Sequence, residues 1–294
     1  MHDEDSLIDL LLQAWPPTKS GVGPGDDCAV VSAPPKGYQT VLKTDCIVES
    51  IHFIGDTRPQ LIGRKAIARA ISDFAAMGAH PTHALITLGL TADWQSAKKL
   101  KALYSGMRHL ASPFGIDLAG GELTQAKQFW ISVSMIGHIH PDRMKLRSSA
   151  QPGDLILVTG KLGGSFPKRH LTFEPRLEEG QWLANQSTVH AMMDLSDGLG
   201  KDLPRLASAS QCSFEIHADQ IPKNRVSVDQ AVNDGEDYEL LFSVSPRGVN
   251  SLLRRWPFDT PVSPIGTMLP PEVKPNTDGL LFSGFDHLRR KSND

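Results

Sequence analysis

The sequence predicts a two-domain protein of the α/β (α+β) class, and three observations carry that prediction. Stretches of strand length alternate with amphipathic stretches of helical period. The 294 residues suit two domains of roughly 150 residues each. The run Ser148-Ser149-Ala150-Gln151-Pro152-Gly153 is small and turn-prone and lies between two strand-like stretches. The expected domains are therefore 1–148 and 149–294.

The elements follow in chain order. Leu7, Ile8, Leu11, Leu12 and Trp15 form one apolar helical stripe that Pro16-Pro17 closes. Thr40–Lys43 reads as a strand. Leu61–Met77 has helical period and stops at Gly78, with Pro81 beyond. Ala84–Leu90 has strand length. Leu100, Leu103, Tyr104, Met107, Leu110, Ala111 and Phe114 recur at three- and four-residue steps, the clearest amphipathic helix in the chain. Trp130–Ile139 and Leu155–Thr159 read as strands. Strand-like Val189–Met193 leads into a helix from about Asp197 to Ser210, where Pro204 marks a kink or a late start. Ser213–His217 and Tyr238–Val244 complete the strands.

Composition excludes several classes. Thirty-three acidic residues against 30 Lys and Arg give a net charge of −3. A nucleic-acid-binding surface would push the pI above ~9. No run approaches the ~18 apolar residues of a membrane span. The start, Met1-His2-Asp3-Glu4-Asp5, is acidic where a secretory signal is basic. Cys28, Cys46 and Cys212 form no CxxC pair, so a disulfide framework is not expected. The expected location is cytoplasmic, with no nucleic-acid or membrane partner.

The near balance of charge hides a pattern. Thirteen of the 33 acids fall in six windows: Asp26-Asp27, Asp45/Glu49, Asp73, Glu122, Asp194/Asp197/Asp202 and Asp234/Glu236/Asp237/Glu239. Other motifs fail. Gly21-Val22-Gly23-Pro24-Gly25 lacks the Lys-Ser/Thr of a Walker A loop, and Gly160-Lys161-Leu162-Gly163-Gly164-Ser165 has Leu at the wrong place. His138 and His140 share a strand face but have no Cys nearby for a zinc site.

Taken singly, each acidic window also fits an ordinary role. Ser196 or Asp197 suits a helix N-cap, Asp26 an Asx-turn, and Asp73 an i,i+4 ion pair with Arg69. Taken together they sit at strand ends and helix starts, where open sheets place ligand groups. Each like-charge pair brought to ~4 Å costs about 4 kcal/mol at an effective dielectric near 20. Such a cluster requires protons or cations, and carboxylate oxygens favour Mg²⁺, Mn²⁺ or Ca²⁺. Metal-assisted phosphoryl transfer is the leading class.

The windows also occur as an ordered series: Gly25-Asp26-Asp27-Cys28-Ala29-Val30-Val31, Thr44-Asp45-Cys46-Ile47-Val48-Glu49-Ser50-Ile51-His52-Phe53, Ser72-Asp73-Phe74-Ala75-Ala76-Met77-Gly78-Ala79-His80-Pro81, Gly120-Gly121-Glu122, Asp194-Leu195-Ser196-Asp197-Gly198-Leu199 and Gly235-Glu236-Asp237-Tyr238-Glu239-Leu240. In this the chain resembles the thiamine-monophosphate kinases, within the aminoimidazole ribonucleotide synthetase superfamily. The resemblance implies a two-domain synthetase-like fold, dimeric through N-terminal sheets that join across the pair. It implies ATP-dependent phosphorylation of thiamine monophosphate with several Mg²⁺ ions. By motif, Asp27, Thr44, Asp45, Asp73, Glu122 and Asp194 would hold the metal, with Asp197 a further ligand. Of these, Asp45, Asp73 and Asp194 would be central to catalysis. Gly121, Arg147 and Ser196 would contact the nucleotide, and His52, Glu236 and Phe285 the thiamine substrate.

The chemistry is coherent with that pattern. A phosphate-monoester acceptor, with a second pKa near ~6, is already a nucleophile at neutral pH and needs no general base. Several positions depart from the family form. The loop with Pro24-Gly25 is longer, Glu122 replaces an aspartate, Lys43 stands where Ser or Thr is common, and Asp234 replaces a glycine. The segment 160–176 is short and is expected to lack a helix. These departures leave room for another ATP-dependent small-molecule enzyme of the superfamily, or a non-catalytic nucleotide-binding paralogue.

Overall fold

The computed structural model describes residues 10–11 and 31–284. The stripe around Leu7–Trp15, Asp27 with its glycine loop, and Phe285 lie outside the described residues, apart from Leu10 and Leu11, which are helical. The chain divides into two compact units: residues 1–74 with 79–142, and residues 75–78 with 143–294.

The first unit carries β1 (Gln39–Val48), α1 (Pro59–Met77, whose last turn counts with the second unit), β2 (His80–Leu90), α2 (Ala97–Ala111), β3 (Asp117–Gln125) and β4 (Trp130–Ile139). The sheet order is β1-β4-β2-β3, with β2 and β3 parallel and the other pairs antiparallel. Ile131, Val133 and Met135 of β4 are buried while Ser132 and Ser134 are not, the period-two signature of a one-sided sheet. On the buried face lie Ile47, Ile86 and Leu88, and the same core takes Ile62, Ile67 and Ile71 of α1 with Leu100, Leu103 and Met107 of α2.

The two helices touch backbone to backbone. A Cβ on Gly63 would lie 2.1 Å from the Leu103 carbonyl oxygen, and one on Gly106 would lie 1.9 Å from that of Gln60. Gly106→Ala therefore pits about 1 kcal/mol of helix propensity against an overpacking cost of about 1–3 kcal/mol with no flexible atom to yield. The clash wins, and a urea midpoint below that of the unsubstituted protein is the expected result. A raised midpoint would refute the close crossing.

The second unit carries β5 (Leu155–Thr159), a single helical turn α3 (Arg169–Thr172), α4 (Leu177–Ala184), β6 (Val189–Asp194), α5 (Leu199–Ala209), β7 (Ser213–Ile216), α6 (Val228–Asn233), β8 (Leu240–Val244), α7 (Pro246–Arg255) and β9 (Val262–Leu269). The antiparallel sheet runs β6-β8-β5-β9-β7. Leu199, Leu203 and Leu206 of α5 pack with Ile156, Val158 and Ile265 in one core.

Several expectations are corrected. The first strand does not end at Lys43 but runs through Asp45 to Val48. The helix expected from about Asp197 to Ser210 is α5, Leu199–Ala209, and Pro204 lies inside it without delaying its start. The last predicted strand starts at Leu240, not Tyr238. The segment 160–176 contains a turn of helix after all.

Candidate active site

In the first unit the acidic windows meet basic partners across a strand–helix seam. Lys43 and Asp45 alternate along one face of β1, and Arg69 and Asp73 stand one turn apart on α1. Lys43 Nζ lies 2.8 Å from Asp73 Oδ2, and Arg69 Nη2 lies 3.0 Å from Asp45 Oδ1. Lys43 thus reaches from the strand to Asp73 on the helix, and Arg69 reaches from the helix to Asp45 on the strand. Asp45 Oδ1 also accepts the Cys46 N–H at 2.9 Å. Its Oδ2 takes no hydrogen bond or ion pair from the described residues.

The other first-unit residues are not brought to this seam. The Thr44 hydroxyl lies 3.2 Å from Ser134 Oγ, on the opposite face of the sheet. Asp45, Val133, Ile86 and Gly121 stand in one row across the sheet, so Asp45 and Gly121 lie three strand spacings apart, about 14 Å. Glu122 follows Gly121 on the far-edge strand and is exposed. A Cβ at Gly121 would fall 2.0 Å from the Ile86 carbonyl oxygen, which alone explains the glycine. His52 is buried, its Nδ1 accepts the Val48 N–H at 3.0 Å, and its carbonyl accepts Lys65 Nζ. With Nδ1 accepting, the ring proton sits on Nε2.

The second unit joins two windows into one site. Gly235, Glu236 and Tyr238 all have left-handed φ, +73°, +54° and +52°. Each non-glycine residue in that region costs of order 1–3 kcal/mol and persists only when its surroundings over-determine it. Here Glu236 N–H donates to the Ser196 carbonyl at 2.7 Å, Tyr238 N–H to Leu195 at 2.8 Å, and Leu195 N–H to Glu239 at 2.8 Å. The loop carrying Asp194, Ser196 and Asp197 is thereby zipped to the loop carrying Glu236.

The failed Walker-like loop has a role in the same place. Its amides face carboxylates of the chain itself: Gly163 N–H donates to Asp237 at 2.9 Å and Gly164 N–H to Asp234 at 3.0 Å. The segment after it supplies a base to each remaining acid. Arg169 pairs with Asp237, His170 Nδ1 lies 3.1 Å from Glu236 Oε2, and Arg176 grips both oxygens of Glu239 at 2.7 and 2.8 Å. Arg169, His170 and Arg176 went unnoticed in the sequence. The available signal was three bases in one short segment facing three acids in another.

At the start of α5, Asp197 Oδ2 takes Arg205 at 2.7 Å and Lys201 at 3.5 Å. Burial first, and then the Asp194 charge, push the Asp202 carboxyl up to about 7. Asp194 is itself buried. Arg147 is exposed, and its guanidinium makes no ion pair or hydrogen bond among the described residues.

These groups suit Mg²⁺ by donor chemistry. They offer hard oxygens, an open Asp45 oxygen, and a crowd of carboxylates at Asp194 and Asp202 that a cation would relieve. Among the described residues no three His, Cys, Asp or Glu side chains are grouped to hold an ion by themselves. Water and phosphate oxygens would have to complete the shell, as is usual for Mg²⁺.

Comparison with known proteins places this architecture. The family model described as AIR synthase related protein, N-terminal domain matches residues 25–139, and the corresponding C-terminal domain matches residues 151–253. Two such domains in series, with acidic loops at strand ends, define the class as AIR synthase related. Among curated proteins, the thiamine-monophosphate kinase of Rhodopirellula baltica is 34% identical over 84% of this chain and 83% of its own length. That of Bacillus subtilis is 36% identical over 76% and 78%. The chain belongs to the thiamine-monophosphate kinase family. A solved structure of AaThiL complexed with AMPPCP and TMP superposes with a TM-score of 0.76 at 28% identity, covering 97% of this chain and 96% of that one. The hydrogenase maturation protein HypE of E. coli matches at TM-score 0.77 but 19% identity, a likeness of fold alone.

Proposed function

We propose that this protein transfers the γ-phosphoryl group of ATP to thiamine monophosphate, giving thiamine diphosphate and ADP. Family membership over most of the chain carries the reading. Support also comes from the relative solved with AMPPCP and TMP.

The acceptor phosphate supplies its own nucleophilic oxygen, so the chain's task is to align two polyanions and offset their repulsion. Asp45, Asp73 and Asp194 would anchor the cations, with Asp27, Thr44, Glu122 and Asp197 contributing. Bound Mg²⁺ would neutralise charge on the phosphates as the phosphoryl group moves. Arg147, exposed and unengaged, would fork onto phosphate oxygens, while Gly121 and Ser196 line the nucleotide and His52, Glu236 and Phe285 the acceptor.

A homodimer fits this arrangement. The uncovered sheet face exposes Leu42 at 75% and Leu85 at 44%. Because Asp45 and Glu122 stand on opposite edges of the sheet, an ion touching both would need a second copy. Leu42→Glu is expected to shift sedimentation from dimer to monomer. A chain already monomeric would refute the dimer. On the domain reading, 1–148 would carry most metal groups and the nucleotide contacts Gly121 and Arg147, with His52 for the acceptor, and 149–294 would add Ser196 for the nucleotide and Glu236 and Phe285 for the acceptor. No described helix is long and apolar enough to cross a membrane. The free thiols of Cys46 and Cys212 fit a cytoplasmic setting.

The deciding experiment is ADP release with ATP, Mg²⁺ and thiamine monophosphate, run beside unphosphorylated thiamine. Turnover with the monophosphate alone is expected. Absence of product at high enzyme concentration would sink the reading.

A further inference from the structure

Asn233, the last residue of α6, directs its side chain to a distant segment of the chain. Its Nδ2 donates to the Leu281 carbonyl at 2.8 Å and to the Asp229 carbonyl at 3.1 Å. Its Oδ1 accepts the Ser283 N–H at 2.9 Å, the Ser283 hydroxyl at 3.1 Å and the Gly284 N–H at 2.9 Å. An asparagine at a helix end ordinarily turns back on its own backbone. Here only the Asp229 contact does so. Both faces of the amide are engaged, and neither Asp nor Leu, the two side chains nearest in size, can make the whole set.

The segment it holds is a strap, residues 276–284, laid over the core of the second unit. Asn276 N–H donates to the Phe214 carbonyl at 2.9 Å, the Asn276 carbonyl accepts the Ile216 N–H at 3.0 Å, and Phe282 stacks on Phe214 with centroids 5.7 Å apart. Beyond Phe282 the hydrogen bonds that fix the strap run to Asn233. There the strap meets the start of α5. A Cβ on Gly284 would lie 2.4 Å from Lys201 Cβ and 2.8 Å from the Asp197 carbonyl oxygen. One on Gly200 would lie 2.6 Å from Asn233 Oδ1 and 3.2 Å from the Ser283 nitrogen. Asn233 thus joins three segments: the strap, the α5 start beside Asp197 and, two residues on, the Gly235–Glu236 turn.

We propose that Asn233 is a positioning residue for the acceptor: its amide locks the strap onto the start of α5 and so sets the acceptor end of the site. This rests on the kinase reading above, in which the acceptor residues of the second unit, Glu236 and Phe285, follow closely on Asn233 and Gly284 in the sequence. The nucleotide residue Ser196 is held separately, by the Glu236 N–H at its carbonyl. Loosening the strap should therefore weaken acceptor binding and leave the nucleotide alone.

Hydrogen exchange and steady-state kinetics on the full chain test it. A net hydrogen bond changes an equilibrium by a factor of roughly 2 to 12, and Asn233→Ala removes three from the end of the strap. The Ser283 and Gly284 amides should then exchange at least ~10-fold faster, while those of β6 and β8 keep their rates. KM for thiamine monophosphate should rise by at least about 5-fold, with kcat and KM for ATP within about twofold. Asn233→Asp keeps an oxygen for the strap's donors and should recover part of that loss, whereas Asn233→Leu keeps only the bulk and should not. Better recovery by Leu than by Asp, or a joint rise of both KM values, would show a merely structural role and overturn the proposal. Gly284→Ala, which drives the strap away from Lys201, should raise the same KM and decides alone if the Asn233 variants do not fold. An unchanged acceptor KM in these variants overturns the proposal while leaving the kinase reading intact. No turnover by the unsubstituted protein overturns both.

Discussion

Asp45→Asn is expected to remove at least ~100-fold of turnover, the usual scale for losing one group that stabilises a transferring phosphoryl, while the chain stays folded. The two halves of that expectation come from different oxygens. Oδ1 is structural, because it accepts the Cys46 N–H and meets Arg69. An asparagine carbonyl keeps the first of these contacts. Arg69 keeps its bond from Nη1 to the Cys46 carbonyl at 3.3 Å. The ion pair is mostly buried, with Asp45 at 17% and Arg69 at 10% side-chain exposure, so its loss should lower stability by about 1–3 kcal/mol without unfolding the chain. Oδ2 is the open oxygen, and in asparagine a neutral amide NH₂ replaces one carboxylate oxygen, leaving no charge to hold a cation. ADP release measures the first half and thermal unfolding the second. Undiminished turnover would remove Asp45 from the site, and an unfolded variant would show the seam to be a structural lock instead.

How far the sequence could be read depended on whether the deciding partner was near in the chain. β4 and β5 were legible to the residue because their own alternation or apolar run defines them. β3 was not, since Asp-Leu-Ala-Gly-Gly-Glu has no alternation and its strand form depends on close parallel pairing with β2 at Gly121. β9 carries Pro264 in its middle, a residue that argues against a strand unless a register shift accommodates it, and one lies there at Ile156/Leu157 of its partner. Polar Lys43-Thr44-Asp45 looked like a strand's end. The strand continues because α1 supplies the opposite charges.

The acidic windows were legible as a pattern but only partly as chemistry. Read locally, they lacked counter-charge, which favoured metal ions as the compensation. The fold supplies much of that compensation from distant segments: Arg169 for Asp237, His170 for Glu236, Arg205 for Asp197 and Asp202. Asp45 Oδ2 and the exposed Glu122 carboxylate, by contrast, take no hydrogen bond or ion pair from the described residues. That distinction separates acids braced by the chain from acids left open to ligands, and no window of sequence contains it.

Arg176→Met should destabilise the second unit by about 3–5 kcal/mol, the cost of stranding a buried charge. Arg176 holds both Glu239 oxygens, and its Nη1 reaches Thr260 Oγ1 at 3.0 Å and Glu179 at 3.4 Å. Glu239 has 5% side-chain exposure, so water cannot replace the guanidinium without opening the core. The carboxylate cannot swing away either, since it packs where a Cβ on Gly160 would be, 2.2 Å from Cδ. Thr159 remains as a donor at 2.8 Å, but one hydroxyl does not balance a full charge. Adding Glu239→Gln to Arg176→Met should recover much of the loss, because the stranded charge goes with its partner. Urea midpoints of the two single variants and the double variant measure the coupling. Equal midpoints for Arg176→Met and the unsubstituted protein would refute it. Glu239 follows the strained Glu236–Tyr238 turn directly, so the same loss of anchorage should loosen Glu236 and raise the acceptor KM even where the unit remains folded.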